Sequence, residues 1–360
     1  MIKQIIQMKI VVILPCREEF LAFEILKSLV KHGAEIYCSS LEIIKNMLIL
    51  SNQGLEIGIE NLEKCKICND FEIVEHSKDA DLIFALGSRY NSASYSNCGN
   101  KFFLLDEINR PEKTIFIDGS EWTASGWKNS YQEKCIKEGV KKNFYRGEPW
   151  IDNFMRDRAR WYFKRETYLQ DYQQYGIIPL PYPNRIEDNK KLNTKKTRKY
   201  DLLVSFGQIQ TGLRSEIVSA SELIAKRFKV LNSFTDNNNF FSNIVNSYAV
   251  VDAWGAGNCN VRSQMVQINS IALIRQKWEI LCPYPFIDGE NIIEYANIQE
   301  YKEKCDHYLS NKELLIEIGN KGFEHSMNFH ISEKRLEYIF AVIDGGFNLK
   351  ENFGSSSYNF

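Results

Sequence analysis

The apolar residues of this chain form short continuous runs that alternate with stretches of helical periodicity. Residues 9–14 are rich in β-branched side chains, residues 20–32 carry apolar side chains at helical spacing, and residues 35–38 form a second β-rich run. Strand, loop, helix and strand in this order predict a βαβ unit and therefore a parallel sheet. Runs of the same kind, each ending in a polar or glycine-bearing loop, predict two further strands at residues 81–87 and 113–119.

The composition changes at residues 182–199, and the βαβ pattern begins again beyond them. These residues are polar and basic, which predicts a solvated linker. The pattern then predicts strands at 200–207 and 229–231 and helices at 215–228, 298–309, 312–323 and 332–343. The predicted organisation is an α/β chain with a first domain at 1–185, a linker at 186–199, a second domain at 200–330, and a last helix with a frayed tail at 331–360.

Length and composition limit the class of protein. A chain of 360 residues suits two domains, and 44% hydrophobic with 25% charged residues is ordinary globular composition. A net charge of −1 argues against a general binder of nucleic acid or of anionic membranes. No apolar run reaches membrane-spanning length, and the nine scattered cysteines are typical of reduced thiols. We therefore expect a cytoplasmic protein without an integral membrane segment, while attachment to the periphery of the inner membrane and the oligomeric state stay open.

Polar residues follow the predicted strands of the first domain, where the ligand-binding residues of parallel sheets gather. Arg17, Glu18 and Arg89 follow two of these strands and are predicted ligand contacts. Asp118 and Glu121 lie around a tight turn at the end of another strand, where a carboxylate can act as general base toward an acceptor hydroxyl. The alternative is that this turn only caps the helix that follows.

Two loops of the second domain have the composition of anion-binding sites. Gly207 begins a loop that ends in Arg214 at a predicted helix start, where backbone N–H groups and the positive helix pole favour an anion. Gly255 and Gly257 precede Arg262 in the same way and predict a second phosphate cradle. For the first loop, a plain turn with a surface arginine is the alternative.

The remaining polar patterns in the sequence do not predict a metal site or a catalytic histidine. Residues 162–166, Tyr-Phe-Lys-Arg-Glu, are interpreted as a helical face in solvent with local ion pairs. The five histidines have neither the spacing of a metal site nor the setting of a catalytic triad, so the predicted base is a carboxylate. Cys65 and Cys68 form a lone CxxC pair, and we predict no metal site.

Several motifs also follow one another in a definite order. They are Asp-Gly-Ser-Glu at 118–121, Tyr-Phe-Lys-Arg-Glu at 162–166, Pro-Leu-Pro at 179–181, a loop ending in Arg214, a Gly-x-Gly loop followed by Arg262, and Pro-Phe-Ile-Asp-Gly-Glu-Asn-Ile-Ile-Glu-Tyr at 285–295. This order resembles glycosyltransferases of the GT-B fold, and more narrowly the bacterial group related to spore-maturation glycosyltransferase-like proteins. The resemblance extends over about residues 80–343.

The resemblance implies an enzyme that moves a sugar from a nucleotide-diphosphate donor to a hydroxyl group of a saccharide or of another cell-surface or secondary-metabolite acceptor, as in polysaccharide biosynthesis. It implies two Rossmann-like domains that face each other across a cleft, with the last helix crossing back to the first domain. The first domain would hold the acceptor beside Arg17, Glu18 and Arg89, with Asp118 or Glu121 facing it. No metal or other cofactor is required, because cations and helix poles can stabilise the leaving diphosphate.

In the second domain the resemblance implies the donor contacts. The diphosphate would lie on Arg214 and on the loop from Gly255 to Arg262. Members of the group usually carry a glutamate three residues after this arginine and a glycine five residues further on, whereas this chain has Met265 and Ser270 there. The predicted donor residues are therefore Gly207, Arg214, Gly255, Gly257, Arg262, Gln264, Glu290 and Glu294. A catalytically silent relative that binds sugar or nucleotide, and a GT-B-type nucleotide-sugar epimerase, stay open as alternatives.

Overall fold

The first half of the chain forms a parallel sheet of seven strands among the residues that the structure describes. The computed structural model describes residues 7–14, 20–39, 64–87, 101–119, 153–186, 198–206, 213–232, 237–254, 259, 261–348 and 353. Its strands are β1 (Lys9–Ile13), β2 (Glu35–Cys38), β3 (Lys66–Ile67), β4 (Leu82–Leu86), β5 (Thr114–Asp118), β6 (Trp161–Lys164) and β7 (Ile178–Pro179). Their spatial order is β3-β2-β1-β4-β5-β6-β7, and every neighbouring pair is parallel. The parallel sheet predicted from the βαβ pattern is confirmed.

Both faces of this sheet are covered, and each has its own apolar core. The helices of the first domain are α1 (Phe20–Lys31), α2 (Asp70–Ser77), α3 (Leu104–Ile108), α4 (Asn153–Arg156) and α5 (Leu169–Tyr175). Along β1, Ile10 and Val12 join the core under α1, whereas Val11 and Ile13 join the core under α2 and α3. A strand that is buried on both faces needs a continuous apolar run, which is why β1, β4 and β5 could be recognised in the sequence.

The second half of the chain builds a smaller parallel sheet. Its strands are β8 (Tyr200–Val204), β9 (Val230–Asn232), β10 (Ser247–Asp252), β11 (Ala272–Gln276) and β12 (Ile293–Tyr295), in the spatial order β12-β11-β10-β8-β9. The helices around it are α6 (Leu213–Ile224), α7 (Asn237–Val245), α8 (Val261–Gln267), α9 (Ile298–Leu309) and α10 (Lys312–Phe329). The prediction of two α/β domains with parallel sheets is therefore confirmed.

Helix α10 lies directly on backbone of the second domain, because two of its residues lack side chains. A Cβ atom at Gly319 would lie 2.6 Å from the carbonyl oxygen of Ser270, and one at Gly322 would lie 2.7 Å from that of Asn291. Both distances are too short for real carbon–oxygen contacts, so only glycine permits this approach. The helix continues beyond the end predicted at residue 323.

The last helix, α11 (Ser332–Ile343), packs on the first domain. Leu336 and Ile339 belong to the same core as the apolar face of α1, and Glu333 forms an ion pair with Lys31. The crossing of this helix back to the first domain is therefore confirmed. The predicted fraying is wrong at Phe353, which is 3% exposed and packs edge-on against Tyr172 of α5. No helix in the described part of the chain is long and apolar enough to cross a membrane.

Residues 162–166 differ most from their prediction. They are not a solvated helical face, because Tyr162 to Lys164 form the end of β6 and the charged residues are buried. Lys164 pairs with Asp118, its register partner on β5, and Arg165 and Glu166 are each at most 2% exposed. Buried charges are tolerated only when they are paired and hydrogen-bonded. The charged run is therefore part of the interior, at the carboxyl end of the first sheet.

Candidate functional site

The second sheet has a topological switch point between β8 and β10, because the strands that follow β8 are added first on one side of it and then on the other. From β8 the chain moves to β9 on one side, and it then returns to β10 on the other side of β8. In open parallel sheets, ligands bind beyond the carboxyl ends of the strands at such a switch point. Helix α6 follows β8 and carries Arg214 in its first turn, and α8 follows β10 and carries Arg262 in its first turn. The structure therefore brings the two predicted arginines to one edge of the sheet.

Arg262 is held at this edge without being fully paired. Its side chain is 19% exposed, and its charged neighbour is Asp252, at 3.8 Å between NH1 and Oδ1. The buried Nε of Arg262 has no hydrogen-bond partner among the described residues. Burial lowers the pKa of Arg262, Asp252 opposes this shift, and the nearby charge of Arg214 adds to it. An anion at this place would satisfy an open donor and relieve the repulsion between two cations.

Arg214 and Arg262 both lie near the aromatic ring of Phe206. The guanidinium carbon of Arg214 lies 5.4 Å from the ring centroid of Phe206, and that of Arg262 lies 5.2 Å from it. Phe206 follows β8 and is buried, so it forms an apolar floor under both cations. Arg214 also donates a hydrogen bond of 3.2 Å to the carbonyl oxygen of Ala253, which links α6 to the end of β10. The two arginines and Phe206 form the candidate anion site.

Asp252 is a residue of this site that the sequence prediction missed. It is the last residue of β10 and is buried, and it accepts a hydrogen bond from the hydroxyl group of Ser263 in the first turn of α8. Its own carbonyl oxygen accepts a hydrogen bond of 2.7 Å from the hydroxyl group of Tyr295. The signal that could have found Asp252 is its place as the first polar residue after an apolar strand run, on the strand that precedes Arg262.

Three other predicted donor residues, Gln264, Glu290 and Glu294, have different surroundings. The Gln264 amide group donates hydrogen bonds to the carbonyl oxygen of Tyr182, at 3.2 Å, and to Sγ of Cys259, at 3.5 Å. Glu294 pairs with Arg275 at 2.6 Å. Glu290 is exposed in the turn before β12, at the amino edge of the sheet, and the arginines are at the carboxyl edge. The structure therefore does not bring Glu290 to the anion site, and it occupies Gln264 and Glu294 with other partners.

The structure describes Met265 and Ser270, the two positions at which the chain differs from the residues that the resemblance leads one to expect. Met265 is 8% exposed and belongs to an apolar core that includes Leu203 and Val250. Ser270 has a φ of +56°, a left-handed conformation that costs energy for a residue with a Cβ atom. A glycine, as the resemblance would lead one to expect there, adopts this conformation without that cost.

In the first domain, Asp118 is the candidate site residue that the structure describes. It ends β5 and is buried, and its Oδ2 accepts hydrogen bonds from the hydroxyl group of Tyr162 at 2.9 Å and from Nζ of Lys164 at 2.6 Å. One carboxylate oxygen is therefore already held by two donors. The remaining candidates lie outside the described residues: Arg17, Glu18, Arg89, Glu121, Gly207, Gly255 and Gly257.

The comparisons with known proteins concern the fold. No family model and no curated protein matches the chain. A glycosyltransferase from Rickettsia africae ESF-5 matches with a TM-score of 0.56 at 10% identity, covering 94% of this chain and 98% of that chain. An α-glucosyltransferase in complex with UDP-glucose and DNA containing an abasic site matches with a TM-score of 0.54 at 9% identity, over 94% of this chain and 100% of that chain. A sucrose-phosphate synthase from Thermosynechococcus elongatus matches with a TM-score of 0.50 at 8% identity, over 94% and 98%.

The chain has the GT-B fold. Identities of 8–10% show this fold and leave the reaction to be argued from the site itself. In this GT-B chain the candidate anion site belongs to the second domain and Asp118 to the first. Within the described part of the chain, no three His, Cys, Asp or Glu side chains come together as a metal site would require. The expectation of a reaction without a metal stays a prediction.

Proposed function

We propose that this chain is a glycosyltransferase that moves a sugar from a nucleotide-diphosphate donor to a hydroxyl group of a saccharide or other small acceptor. The proposal depends on the pair Arg214 and Arg262 at the switch point of the second sheet, where Nε of Arg262 has no hydrogen-bond partner within the part of the chain that the structure describes. Two guanidinium groups and two helix N-termini suit the two negative groups of a diphosphate. The net charge of −1 favours a saccharide or small-molecule acceptor over nucleic acid, although one GT-B neighbour was solved with DNA.

The chemistry requires charge stabilisation at the departing diphosphate. During transfer, the bond between the anomeric carbon and the diphosphate oxygen breaks, and the acceptor oxygen bonds to that carbon as its proton leaves for a base. Negative charge grows on the diphosphate, and preorganised cations stabilise the transition state more than the ground state. Arg214 and Arg262 would supply this stabilisation without a metal. Asp118 or Glu121 is the proposed base on the acceptor side.

The donor half of the proposal is tested by nucleotide binding. A thermal-shift screen of UDP-, GDP-, CMP-, ADP- and dTDP-linked sugars identifies the donor, and calorimetry then measures its affinity in three variants. Arg214→Ala and Arg262→Ala should each weaken binding by one to two orders of magnitude, since a charge-assisted contact contributes about 1.5–3 kcal/mol. Arg227→Ala is the control, because Arg227 is an exposed arginine paired with Asp306. Unchanged affinity in both test variants would refute the donor site.

The acceptor half is tested by turnover. Asp118→Asn or Glu121→Gln should lower the rate of nucleotide release in the presence of acceptor and leave donor binding intact. Full rates in both variants would show that the base lies elsewhere.

One observation favours a second candidate, a catalytically silent relative that binds sugar or nucleotide. Tyr162 and Lys164 both bond to Oδ2 of Asp118, which is buried, so this carboxylate oxygen has little freedom to accept a proton from an acceptor hydroxyl. A protein that binds a nucleotide sugar with saturation but releases no nucleotide with any acceptor would support the silent relative. A GT-B-type epimerase would instead release free sugar from the donor without an acceptor.

A further inference from the structure

One residue of the second domain, Cys259, is hydrogen-bonded to the first domain through both its backbone N–H group and its carbonyl oxygen. The N–H group of Cys259 donates a hydrogen bond of 2.9 Å to Oε1 of Glu166, and its carbonyl oxygen accepts one of 2.8 Å from NH2 of Arg165. All three residues are at most 2% exposed. Charge-assisted hydrogen bonds in a water-free setting are stronger and more directional than those at the surface. We call Arg165 and Glu166 the clamp.

The clamp is itself held in one geometry. NH1 of Arg165 donates to the hydroxyl group of Tyr182 at 2.8 Å, and the guanidinium carbon lies 4.1 Å from the centroid of that ring. Nε of Arg165 is 3.4 Å from Oε1 of Glu166, so the two charges neutralise each other. Gln264 of α8 donates to the carbonyl oxygen of Tyr182 and thereby links α8 to the residue that holds Arg165. These contacts fix the orientation of the guanidinium plane from which Arg165 donates its hydrogen bond to Cys259.

Arg165 of the clamp also contacts the turn of the first domain that follows β5. NH1 of Arg165 is 3.4 Å from the carbonyl oxygen of Gly119, and the backbone N–H of Arg165 donates to the carbonyl oxygen of Asp118 at 3.0 Å. A single side chain thus contacts the turn after β5 and the segment before α8. Cys259 is two residues from the start of α8, and Arg262 is in the first turn of that helix.

From these contacts we infer that Arg165 and Glu166 are positioning residues for the donor site, an inference that rests on the function proposed above. By holding Cys259 they fix the start of α8, and therefore the position and orientation of the Arg262 side chain at the switch point. Because the clamp belongs to the first domain, it can hold this segment only while the two domains are together. Donor affinity is therefore coupled to the contacts that Arg165 and Glu166 make across the domains.

The test uses Glu166→Gln and Arg165→Lys, with Glu24→Gln as the matched control. Glu24 is an equally buried carboxylate of the first domain that pairs with Lys27 and Arg185, and its partners among the described residues do not include Cys259. Calorimetry with UDP, GDP, ADP and dTDP should show roughly tenfold weaker binding of the preferred nucleotide in Glu166→Gln. Arg165→Lys should lie between this variant and the wild type, because lysine keeps the charge and loses the forked contact.

A second measurement needs no nucleotide. Amide hydrogen exchange over residues 259–267 should become roughly tenfold faster in Glu166→Gln and stay unchanged in Glu24→Gln, although both variants lose stability. In the Arg262→Ala background, Glu166→Gln should cause no further loss of nucleotide affinity, because the clamp acts through that arginine.

The outcomes separate the two proposals. Unchanged nucleotide affinity in both clamp variants, or a loss of equal size in Glu24→Gln, overturns the positioning role. If the wild-type protein binds none of the four nucleotides, the proposed function falls, and the exchange measurement alone then decides whether the clamp fixes the segment before α8. Unchanged exchange over residues 259–267 in Glu166→Gln overturns the clamp in either case.

Discussion

The buried pair Lys164 and Asp118 offers the sharpest test of the structure, because the sequence pattern alone predicted the opposite environment. The two residues are register partners on β5 and β6, and Nζ lies 2.6 Å from Oδ2. Their side chains are 0% and 6% exposed, so water screens the interaction little. Tyr162 donates a further hydrogen bond to the same oxygen. The perturbation is Lys164→Met, which keeps most of the volume and removes the charge.

The expected loss of stability follows from the partner that is left behind. In Lys164→Met the buried Asp118 carboxylate loses its cationic partner, and breaking a buried ion pair by removal of one partner costs about 3–5 kcal/mol. In the double variant with Asp118→Asn no charge is left, and replacing a whole buried pair is often close to neutral. We therefore expect the double variant to recover at least about 2 kcal/mol of the loss, which would be a clear coupling between the two positions.

The assay is thermal and urea unfolding of the full chain, followed by far-ultraviolet circular dichroism. For a domain of this size, about 3–5 kcal/mol corresponds to a fall in Tm of roughly 6–20 °C. Lys31→Met is the control, because Lys31 pairs with Glu333 at the surface and such pairs contribute at most about 1 kcal/mol. If Lys164→Met loses no more than Lys31→Met, residues 162–166 are solvated after all and the buried strand end is refuted.

Three further predictions concern stability. Gly319→Ala should lower the free energy of unfolding by about 1–3 kcal/mol in chemical unfolding, since its Cβ would lie 2.6 Å from a backbone oxygen. Gly346→Ala, whose Cβ would have its nearest atom at 3.8 Å, is the control and should change stability by less than about 0.5 kcal/mol. Equal effects of the two substitutions would contradict the close packing of α10. Ser270→Gly should raise stability by about 0.5–1 kcal/mol, because relief of about 1–2 kcal/mol of left-handed strain exceeds the added chain entropy; a loss on denaturant titration would rule out the positive φ. Burial lowers the pKa of His330 well below its usual range, with Arg335 and His325 adding to the shift, so the unfolded chain binds a proton that the folded chain does not. Stability should therefore fall as the pH drops below about 6.5, by up to about 1.4 kcal/mol per pH unit, and His330→Gln should flatten that slope; identical slopes would exclude the buried histidine as its source.

The elements that could be predicted from the sequence are those whose signal is local. An apolar run such as that of β4 is buried on both faces, and this burial is visible as an uninterrupted pattern. The bounds of α9 and α11 agree with their predictions, because Asn297 caps α9 with its side chain and an apolar stripe marks the length of α11. The places of Arg214 and Arg262 at helix starts could be predicted in the same way, since a strand end, a glycine-bearing loop and a helix start are adjacent in the chain.

The buried charges could not be predicted, because the groups that neutralise them are distant in sequence. Lys164 is 46 residues from Asp118, and Arg165 is 94 residues from Cys259. A window of five residues shows two cations beside a carboxylate, and that pattern is typical of a solvated helix. Only the register of β5 and β6 and the contact between the domains reveal the partners. The partners of Gln264 and Glu294 could not be predicted for the same reason, since Tyr182 and Arg275 lie on other elements.

The two departures from the resemblance have different physical meanings. At Ser270 the backbone adopts the left-handed conformation that a glycine would favour, and Gly319 packs against its carbonyl oxygen, so the local structure is kept at a small cost in strain. At Met265 the side chain is part of an apolar core, and a carboxylate there would be buried without a charged partner among the described residues of that core. We therefore expect Met265→Glu to destabilise the second domain rather than to strengthen donor binding. Any polar contact to the ribose or the sugar of the donor must come from residues other than position 265, and the absence of a glutamate there is not by itself a sign of lost activity.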